Sequence, residues 1–207
     1  MAIKLPIEND ILPIPSANEA LKEVLRTRRS VKILDFDSTH GPNFDELHDI
    51  LALANRVPDH GKIAPWRFII LQDEARQELG AKMADILKAK THNMDENHYE
   101  MEKRRFLRAH SVVIMISSPN IHHPKVPVWE QELACGGLGF NITLAANAFG
   151  YIATWLSEWP MFDDDIKSLL KLYANERIAG FFYIGKTNKN PIERERKSVD
   201  NLIQVWK

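Results

Sequence analysis

The order of apolar and polar positions along the chain predicts helices that alternate with a few widely spaced strands. A helix is predicted after Asn43, because four apolar side chains follow it at helical spacing: Leu47, Ile50, Leu51 and Ala54. The continuous apolar run at 112–116 predicts a strand that is buried on both faces. Shorter apolar runs predict further strands at 68–71, 151–156 and 180–185. Together these elements predict an α+β fold in which helices flank a mixed central sheet.

Residues that favour helix ends predict where further helices begin and stop. Ser16 can cap a helix at 20–27, and Glu19 completes a capping box with it. A long helix at 128–149 is expected to end at Gly150, because glycine accepts the left-handed conformation common at helix C-termini. Acidic residues that suit a helix N-terminus predict two more helices, at 74–87 and 163–173.

Two segments show neither helical nor strand periodicity. Residues 1–16 contain three prolines, which predicts an extended N-terminal arm. Residues 88–108 are highly polar and mixed in charge, so we expect a helical excursion over the surface, and this segment is the best candidate for a lid. The chain has no internal repeat and no low-complexity tract. We therefore expect a single domain over residues 1–207.

Composition and charge narrow the class of protein. The 207 residues are 44% hydrophobic and 27% charged, as is usual for a soluble globular domain with its own core. A net charge of −1 gives no electrostatic footprint for nucleic acid. The single cysteine, Cys135, excludes an intramolecular disulfide and fits a reducing compartment. Residues 1–15 do not resemble a signal peptide and no apolar run is long enough for a bilayer, so we expect a cytoplasmic protein without membrane contact.

Two cationic clusters are the best candidates for binding chemistry. Arg28, Arg29 and Ser30 follow a predicted helix, and two guanidinia with a hydroxyl can clamp a phosphate through charge-assisted hydrogen bonds. A solvated helix end explains the same residues, since positive charge favours a helix C-terminus. The second cluster contains Arg194 and Arg196, and by itself it is typical of a solvated tail.

Other chemical groups give weaker signals. Cys135 has neither a second cysteine nor a base beside it, so we expect a small core residue and no nucleophile. His122 and His123 point in different directions and no carboxylate stands at ligand spacing, so we expect no metal site. Gly136 and Gly137 lie inside the predicted long helix, where glycine costs stability, and this predicts the close approach of another helix.

Several motifs, in their order and separation, resemble the nitroreductase family of FMN-dependent oxidoreductases, and especially its short, single-domain NAD(P)H nitroreductases. One is Arg-Arg-Ser-Val-Lys at 28–32. Another is Arg-x-Pro-Asp-His at 56–60, which Pro-Trp-Arg-Phe at 65–68 continues. Trp-Glu-Gln-Glu at 129–132 and Gly-x-x-x-x-Trp at 150–155 complete the set. The resemblance covers nearly the whole chain.

The resemblance implies a nitroreductase-like fold, an intertwined homodimer and two non-covalent FMN sites at the dimer interface. It implies that the FMN phosphate meets a basic group made of Arg28, Arg29, Ser30 and Arg196, with Arg194 second. It implies that the flavin ring lies near Arg56, His60, Trp155, Leu156 and Ser157. Cations near the N1–C2 edge stabilise a reduced flavin, and the candidates for that role are Arg28, Arg29, Lys32 and Arg56. The helix that begins near Trp129, Glu130 and Gln131 would be central to the dimer.

The chain departs from the family pattern just before its Pro-Trp pair. The broader family places Asn or Gln there, where this chain has Ile63 and Ala64. Neither residue has a side-chain hydrogen-bond donor, so only backbone groups remain for the flavin edge at this position.

The implied reaction moves hydride from NAD(P)H to N5 of FMN and then to a small-molecule acceptor, such as a nitroaromatic or a quinone, in a ping-pong sequence. It requires no acid–base residue, and none stands out in the sequence. Three alternatives stay open: related flavin chemistry such as reductive dehalogenation or dehydrogenation, a flavin-binding module without turnover, and a dimeric structural protein that has lost its flavin. The two cationic clusters argue against the last alternative.

Overall fold

A computed structural model describes residues 3–206 and gives the bounds of the main elements. The helices in this part of the chain are α1 Glu19–Thr27, α2 Phe44–Ala54, α3 Glu74–Lys90, α4 Glu96–Lys103, α5 Val128–Ala148 and α6 Asp164–Leu169. The strands are β1 Phe36–Asp37, β2 Trp66–Leu71, β3 Ser111–Ser117, β4 Ile152–Leu156 and β5 Arg177–Thr187. The α+β class is therefore confirmed.

Within residues 3–206 the strands form one sheet in the order β1-β5-β3-β2, and β4 pairs with β5. Each pairing described is antiparallel, whereas the sequence predicted a mixed sheet. The connection between β2 and β3 contains two helices and is long enough for either strand direction. The apolar pattern of a buried strand is the same in both directions, so it carried no information on this point.

The core lies on both faces of the sheet, because side chains of a strand alternate between faces. On one face Phe182 packs with Leu138 and Ile142 of α5, and α2 completes this layer. On the other face Tyr183 packs with Met83 of α3 and with Phe106. All seven residues of β3 are buried, which confirms the prediction of a strand covered on both sides.

Helix ends follow local hydrogen bonding more closely than the apolar pattern. Asn43 caps α2 in a capping box with Glu46, which confirms the predicted start. The predicted cap at Ser16 is wrong: α1 begins at Glu19, and the Asn18 side chain accepts the hydrogen bond from the Leu21 N–H at 3.0 Å. Asparagine is an equally good cap and lies next to the helix, so it takes the position from a serine two residues earlier.

Two other helix lengths differ from the predictions. α6 ends at Leu169 rather than at residue 173, because the chain turns out of the helix and Lys171 adopts a left-handed φ of 52°. α3 continues to Lys90, three residues beyond its predicted end. α5 ends at Ala148 and Gly150 follows with φ 75°, as the sequence predicted.

The polar segment 88–108 contains α4 and a 3-10 turn, so the predicted helical excursion is present. It packs against α3: the Tyr99 hydroxyl donates to Asp85 at 2.7 Å, and Gly80 lies against the Lys103 carbonyl. A Cβ at Gly80 would collide with that carbonyl, so glycine permits the close approach. The role of this segment as a lid stays a prediction.

Candidate functional site

The first cationic cluster lies at the end of α1, beside the outer edge of strand β4. The Arg28 N–H donates to the Val24 carbonyl and closes the helix. The chain then runs past β4, where the Thr154 hydroxyl donates to the Val31 carbonyl at 3.1 Å in a buried setting. This bond places Ser30 and its neighbours next to the strand that carries Trp155, so the structure brings together two segments that are far apart in sequence.

Three arginines converge at this point, and we call Arg28, Arg29 and Arg196 the arginine cluster. The pKa of Arg28 is lowered by its partial burial and by the positive charges of Arg29 and Arg196. Among residues 3–206, no carboxylate lies within ion-pair distance of Arg28, and its guanidinium lies 5.6 Å from the centre of the Phe140 ring. The cluster therefore has an excess of positive charge and is suited to an anion.

Arg29 is already paired with a carboxylate. Its Nε donates to Oε1 of Glu193 at 2.7 Å, and its NH2 group donates to Oε2 of the same side chain. Hydrogen bonds from Arg29 hold the pKa of Glu193 at about 2, so this carboxylate is ionised at neutral pH. Glu193 therefore neutralises one of three guanidinia and occupies the donors that a phosphate would use.

The second cationic group lies in the exposed tail that follows β5. Arg196 donates to the carbonyls of Arg194 and Glu195 at 3.3 Å, and its charge reaches Arg28. Arg194 and Lys32 line a cavity of about 290 Å³ together with Ser30. The two cationic groups predicted from the sequence thus meet in one place.

Trp155 occupies a socket made by two glycines. Its Nε1 donates to the Ala179 carbonyl at 3.1 Å, and its ring stacks on Phe182 with centroids 5.2 Å apart. Gly139 and Gly180 leave the space for the indole, since a Cβ on either would collide with it. The outer side of the ring stays open, with 38% of the residue exposed, so a planar ligand can reach it.

The two residues after Trp155 differ in orientation. The Leu156 side chain packs into the core on the α3 face of the sheet, so its side chain faces away from Trp155. Ser157 is exposed. Of these two predicted flavin contacts, only Ser157 presents an accessible side chain on the open end of β4.

The Arg56–His60 loop is held in a tight conformation at the N-terminal end of α5. Gly61, Lys62 and Ala64 all have left-handed φ values, of 79°, 53° and 48°. The Asp59 carboxylate accepts the Ala64 N–H at 2.6 Å, and His60 pairs with Glu130 at 2.8 Å. Left-handed residues other than glycine cost free energy, and such strain is concentrated at functional loops.

Ala64 has no free backbone donor, because its N–H binds Asp59 and its carbonyl accepts the Trp66 N–H at 2.7 Å. Ala64 therefore offers no backbone donor in place of the family amide.

Arg56 and His60 are exposed and lie apart from the arginine cluster. His60 contacts Glu130 on α5, whereas Arg28 contacts Phe140 on the same helix. These positions are roughly 15 Å apart along the axis, because a helix rises about 1.5 Å per residue. One chain thus holds the predicted site residues in two separate groups.

Helix α5 exposes an apolar stripe between these two groups. We call it the α5 stripe, and its members are Trp129, Leu133, Gly136, Gly137 and Phe140. A Cβ at Gly136 or Gly137 would meet no atom within 4 Å, so the single chain gives neither glycine a packing reason.

Gln131 does not belong to the α5 stripe, although the family pattern placed it at the dimer helix. It is 1% exposed and binds Asn120 and the Val126 carbonyl inside the fold. Cys135 is buried on the same helix, which confirms the expectation of a core residue, and burial raises its pKa to about 11.

Sequence reasoning missed three residues that shape the site. Thr154 joins the two segments, Phe140 lies under Arg28, and Glu193 occupies Arg29. Glu193 had only a weak signal in the sequence, since it is a carboxylate beside the basic residues of the tail. Nothing in the sequence pointed to Thr154 or Phe140, because their partners are more than a hundred residues away in the chain.

Within the described part of the chain, no helix is long and apolar enough to cross a bilayer.

Comparisons with known proteins identify the family of this chain. The model of the nitroreductase family matches residues 25–186. A Haemophilus influenzae protein provisionally named an NAD(P)H nitroreductase is 30% identical over 179 residues, which cover 86% of this chain and 93% of that protein.

Solved structures show the same fold. A nitroreductase-like family protein from Bacillus cereus matches with a TM-score of 0.74 and 21% identity, over 95% of this chain and 99% of that one. A mutant of the FMN and NADPH-dependent nitroreductase NfnB from Sphigopyxis sp. strain HMH matches with a TM-score of 0.67 and 16% identity, over 89% and 97%. At identities this low, the likeness to these structures shows a shared fold and nothing beyond it.

Proposed function

This chain belongs to the nitroreductase family, and we propose that it is an FMN-dependent oxidoreductase that uses NAD(P)H. The proposed reaction takes hydride from NAD(P)H onto N5 of non-covalently bound FMN and passes it to a nitroaromatic or quinone-type acceptor, in a ping-pong sequence. When bound, FMN supplies the redox chemistry, and the protein supplies binding, orientation and electrostatics.

The observation that carries this proposal is the arginine cluster beside the Trp155 socket. A phosphate monoester carries close to two negative charges at neutral pH, which matches the excess charge of Arg28, Arg29 and Arg196. Ser30 and Lys32 lie next to the cluster and add a hydroxyl and a further cation. The phosphate end of FMN would thus be held where the chain passes β4, with its ring directed towards Trp155 and Ser157.

The second part of the proposal is a homodimer that completes two identical sites. Leu133 and Phe140 are each three residues from the glycine pair at 136–137. If two copies of α5 cross antiparallel at the glycines, Leu133 of one copy lies opposite Phe140 of the other. Such a contact is isologous and closes as a dimer.

This arrangement unites the two separated groups of site residues. His60 lies near Leu133, with which it lines a common cavity, and Arg28 lies on Phe140. Across the twofold axis, His60 and Arg56 of the partner subunit approach the arginine cluster and the Trp155 socket. The partner subunit then covers the flavin ring and excludes water from it, while Arg56 of the partner subunit adds positive charge at the ring.

An absorbance spectrum of the purified protein tests the proposal first. A yellow protein that bleaches on anaerobic addition of NADPH or NADH supports it, and a panel of nitroaromatics, quinones and halogenated phenols then identifies the acceptor class. A yellow protein that neither nucleotide bleaches supports a binding module without turnover. A colourless protein that also fails to take up added FMN contradicts the proposal.

A further inference from the structure

A group of buried and partly buried polar side chains lies behind the Trp155 socket, on the opposite face of the sheet. We call it the anchor network, and its members are Glu102, Arg105, Arg108, Glu158 and Tyr183. Glu158 follows Ser157 and is extended, with φ −127° and ψ 165°. Because side chains alternate along an extended chain, Glu158 points away from the face that Trp155 and Ser157 share.

The Glu158 carboxylate accepts three hydrogen bonds in a setting where its side chain is 11% exposed. Its Oε1 accepts from Arg105 at 2.5 Å and from Arg108 at 2.7 Å, and its Oε2 accepts from the Tyr183 hydroxyl at 2.6 Å. A carboxylate bound on both oxygens cannot shift without breaking buried, charge-assisted bonds. The backbone at Glu158 and at the adjoining Ser157 is therefore held in place from the opposite face of the sheet.

The anchor network also joins Glu158 to the segment 88–108. Arg105 donates from Nε to Glu102 at 2.9 Å, and Trp159 donates to the same carboxylate at 2.7 Å. Burial alone would raise the pKa of Glu102, but the hydrogen bonds from Arg105 and Trp159 lower it. The network thus contains two carboxylates and two guanidinia, and its net charge is zero.

We propose that Glu158 is a positioning residue for the flavin, which acts by holding Ser157 and the end of β4 against the ring from the opposite face of the sheet. This inference rests on the proposed function, since it assigns Ser157 to the flavin side. It also gives Arg105 and Arg108 of the segment 88–108 a function: by binding Glu158 they hold the end of β4 in place.

The test compares Glu158→Gln with Glu176→Gln in the full-length protein. Glu176 is also buried and pairs with Arg67 at 2.7 Å, but it precedes β5, and its carboxylate accepts from Arg67 and from the Tyr173 N–H and from no residue of 152–158. The measurements are the FMN dissociation constant of flavin-free protein and the reduction potential of the bound FMN. Thermal unfolding reports the loss of stability in both variants.

We expect Glu158→Gln to weaken FMN binding about tenfold, the effect of one lost hydrogen bond. It should also make the potential more positive, because the network then keeps an extra positive charge that favours reduced flavin. Glu176→Gln should lower thermal stability but keep the FMN dissociation constant within about twofold of wild type and the potential unchanged.

Equal effects of the two variants, or wild-type values in Glu158→Gln, overturn the inference and leave the proposed function intact. Wild-type protein that binds no FMN overturns both. If Glu158→Gln does not fold, Tyr183→Phe decides, because it removes the two hydrogen bonds of the hydroxyl, to Glu158 and from Arg108, and keeps the ion pairs. A rise of about threefold in its FMN dissociation constant supports the inference, and a wild-type value overturns it.

Discussion

The Arg29 guanidinium binds the Glu193 carboxylate through two hydrogen bonds, in a geometry that phosphate oxygens can also adopt. We expect Arg29→Ala to weaken FMN binding about 10- to 100-fold, since a charge-assisted hydrogen bond contributes about 1.5–3 kcal/mol. Fluorescence titration of flavin-free protein measures the change. Arg26→Ala is the matched control, because Arg26 is exposed on α1 and pairs with Glu23. Equal FMN affinity in the two variants would show that Arg29 does not bind phosphate.

Glu193 competes with phosphate for Arg29, so we expect Glu193→Gln to raise FMN affinity severalfold. The pKa of Glu193 is held at about 2, below its ordinary value, so the Arg29 pair is fully formed at higher pH and is lost only as pH falls towards 2. The ratio of wild-type to variant affinity should therefore stay constant between about pH 7 and 8, where neither the charge of Glu193 nor that of the phosphate monoester changes much. Glu195→Gln serves as the control in the same tail. Weaker FMN binding in Glu193→Gln would instead mean that Glu193 orients Arg29 for the phosphate.

At the scale of elements, the sequence predicted correctly those features of helices and strands that depend on contacts between neighbouring residues. The apolar run of β3, the helix start at Asn43 and the glycine that follows α5 each depend on neighbours in sequence, and each was predicted correctly. The capping residue of α1 was missed because Ser16 and Asn18 are both good caps and only one can be used. Strand direction was missed because it depends on how the connections cross the sheet.

The Trp155 socket depends on close contacts between β4, α5 and β5. A Cβ at Gly180 would collide with the Trp155 indole, so we expect Gly180→Ala to lower stability by about 1–3 kcal/mol and to displace the ring. Weaker FMN binding should accompany the displacement, and denaturant unfolding measures the stability.

Trp155→Leu tests whether the indole causes this cost. In a double-mutant cycle, Gly180→Ala should be nearly neutral when Trp155→Leu is already present, because the leucine leaves room for the methyl group. An unchanged cost would assign the effect to the backbone of β5.

At the scale of the whole molecule, the sequence predicted the candidate site residues but could not show how they assemble. The basic groups at 28–29 and 194–196 meet because the tail after β5 returns to the end of α1. Arg56 and His60 do not join them within one chain, since α5 separates the two groups. No pattern in a single sequence encodes a distance across a subunit interface, so only the family resemblance placed all of these residues around one flavin.

The glycine pair on α5 gives the decisive test of the dimer. In a single chain a side chain at Gly137 meets no atom within 4 Å, and leucine favours a helix over glycine by about 1 kcal/mol. Gly137→Leu should therefore fold at least as well as wild type, yet keep two α5 helices apart. We expect sedimentation to show a species near the chain mass of 23.8 kDa, with FMN binding greatly reduced because His60 of the partner subunit is absent.

Ala89→Leu is the control for this variant, because it adds a leucine to the exposed face of α3 and should leave both mass and FMN binding unchanged. A Gly137→Leu protein that still sediments as a dimer would place the interface elsewhere. A monomer that binds FMN as tightly as wild type would mean that one chain holds a complete site.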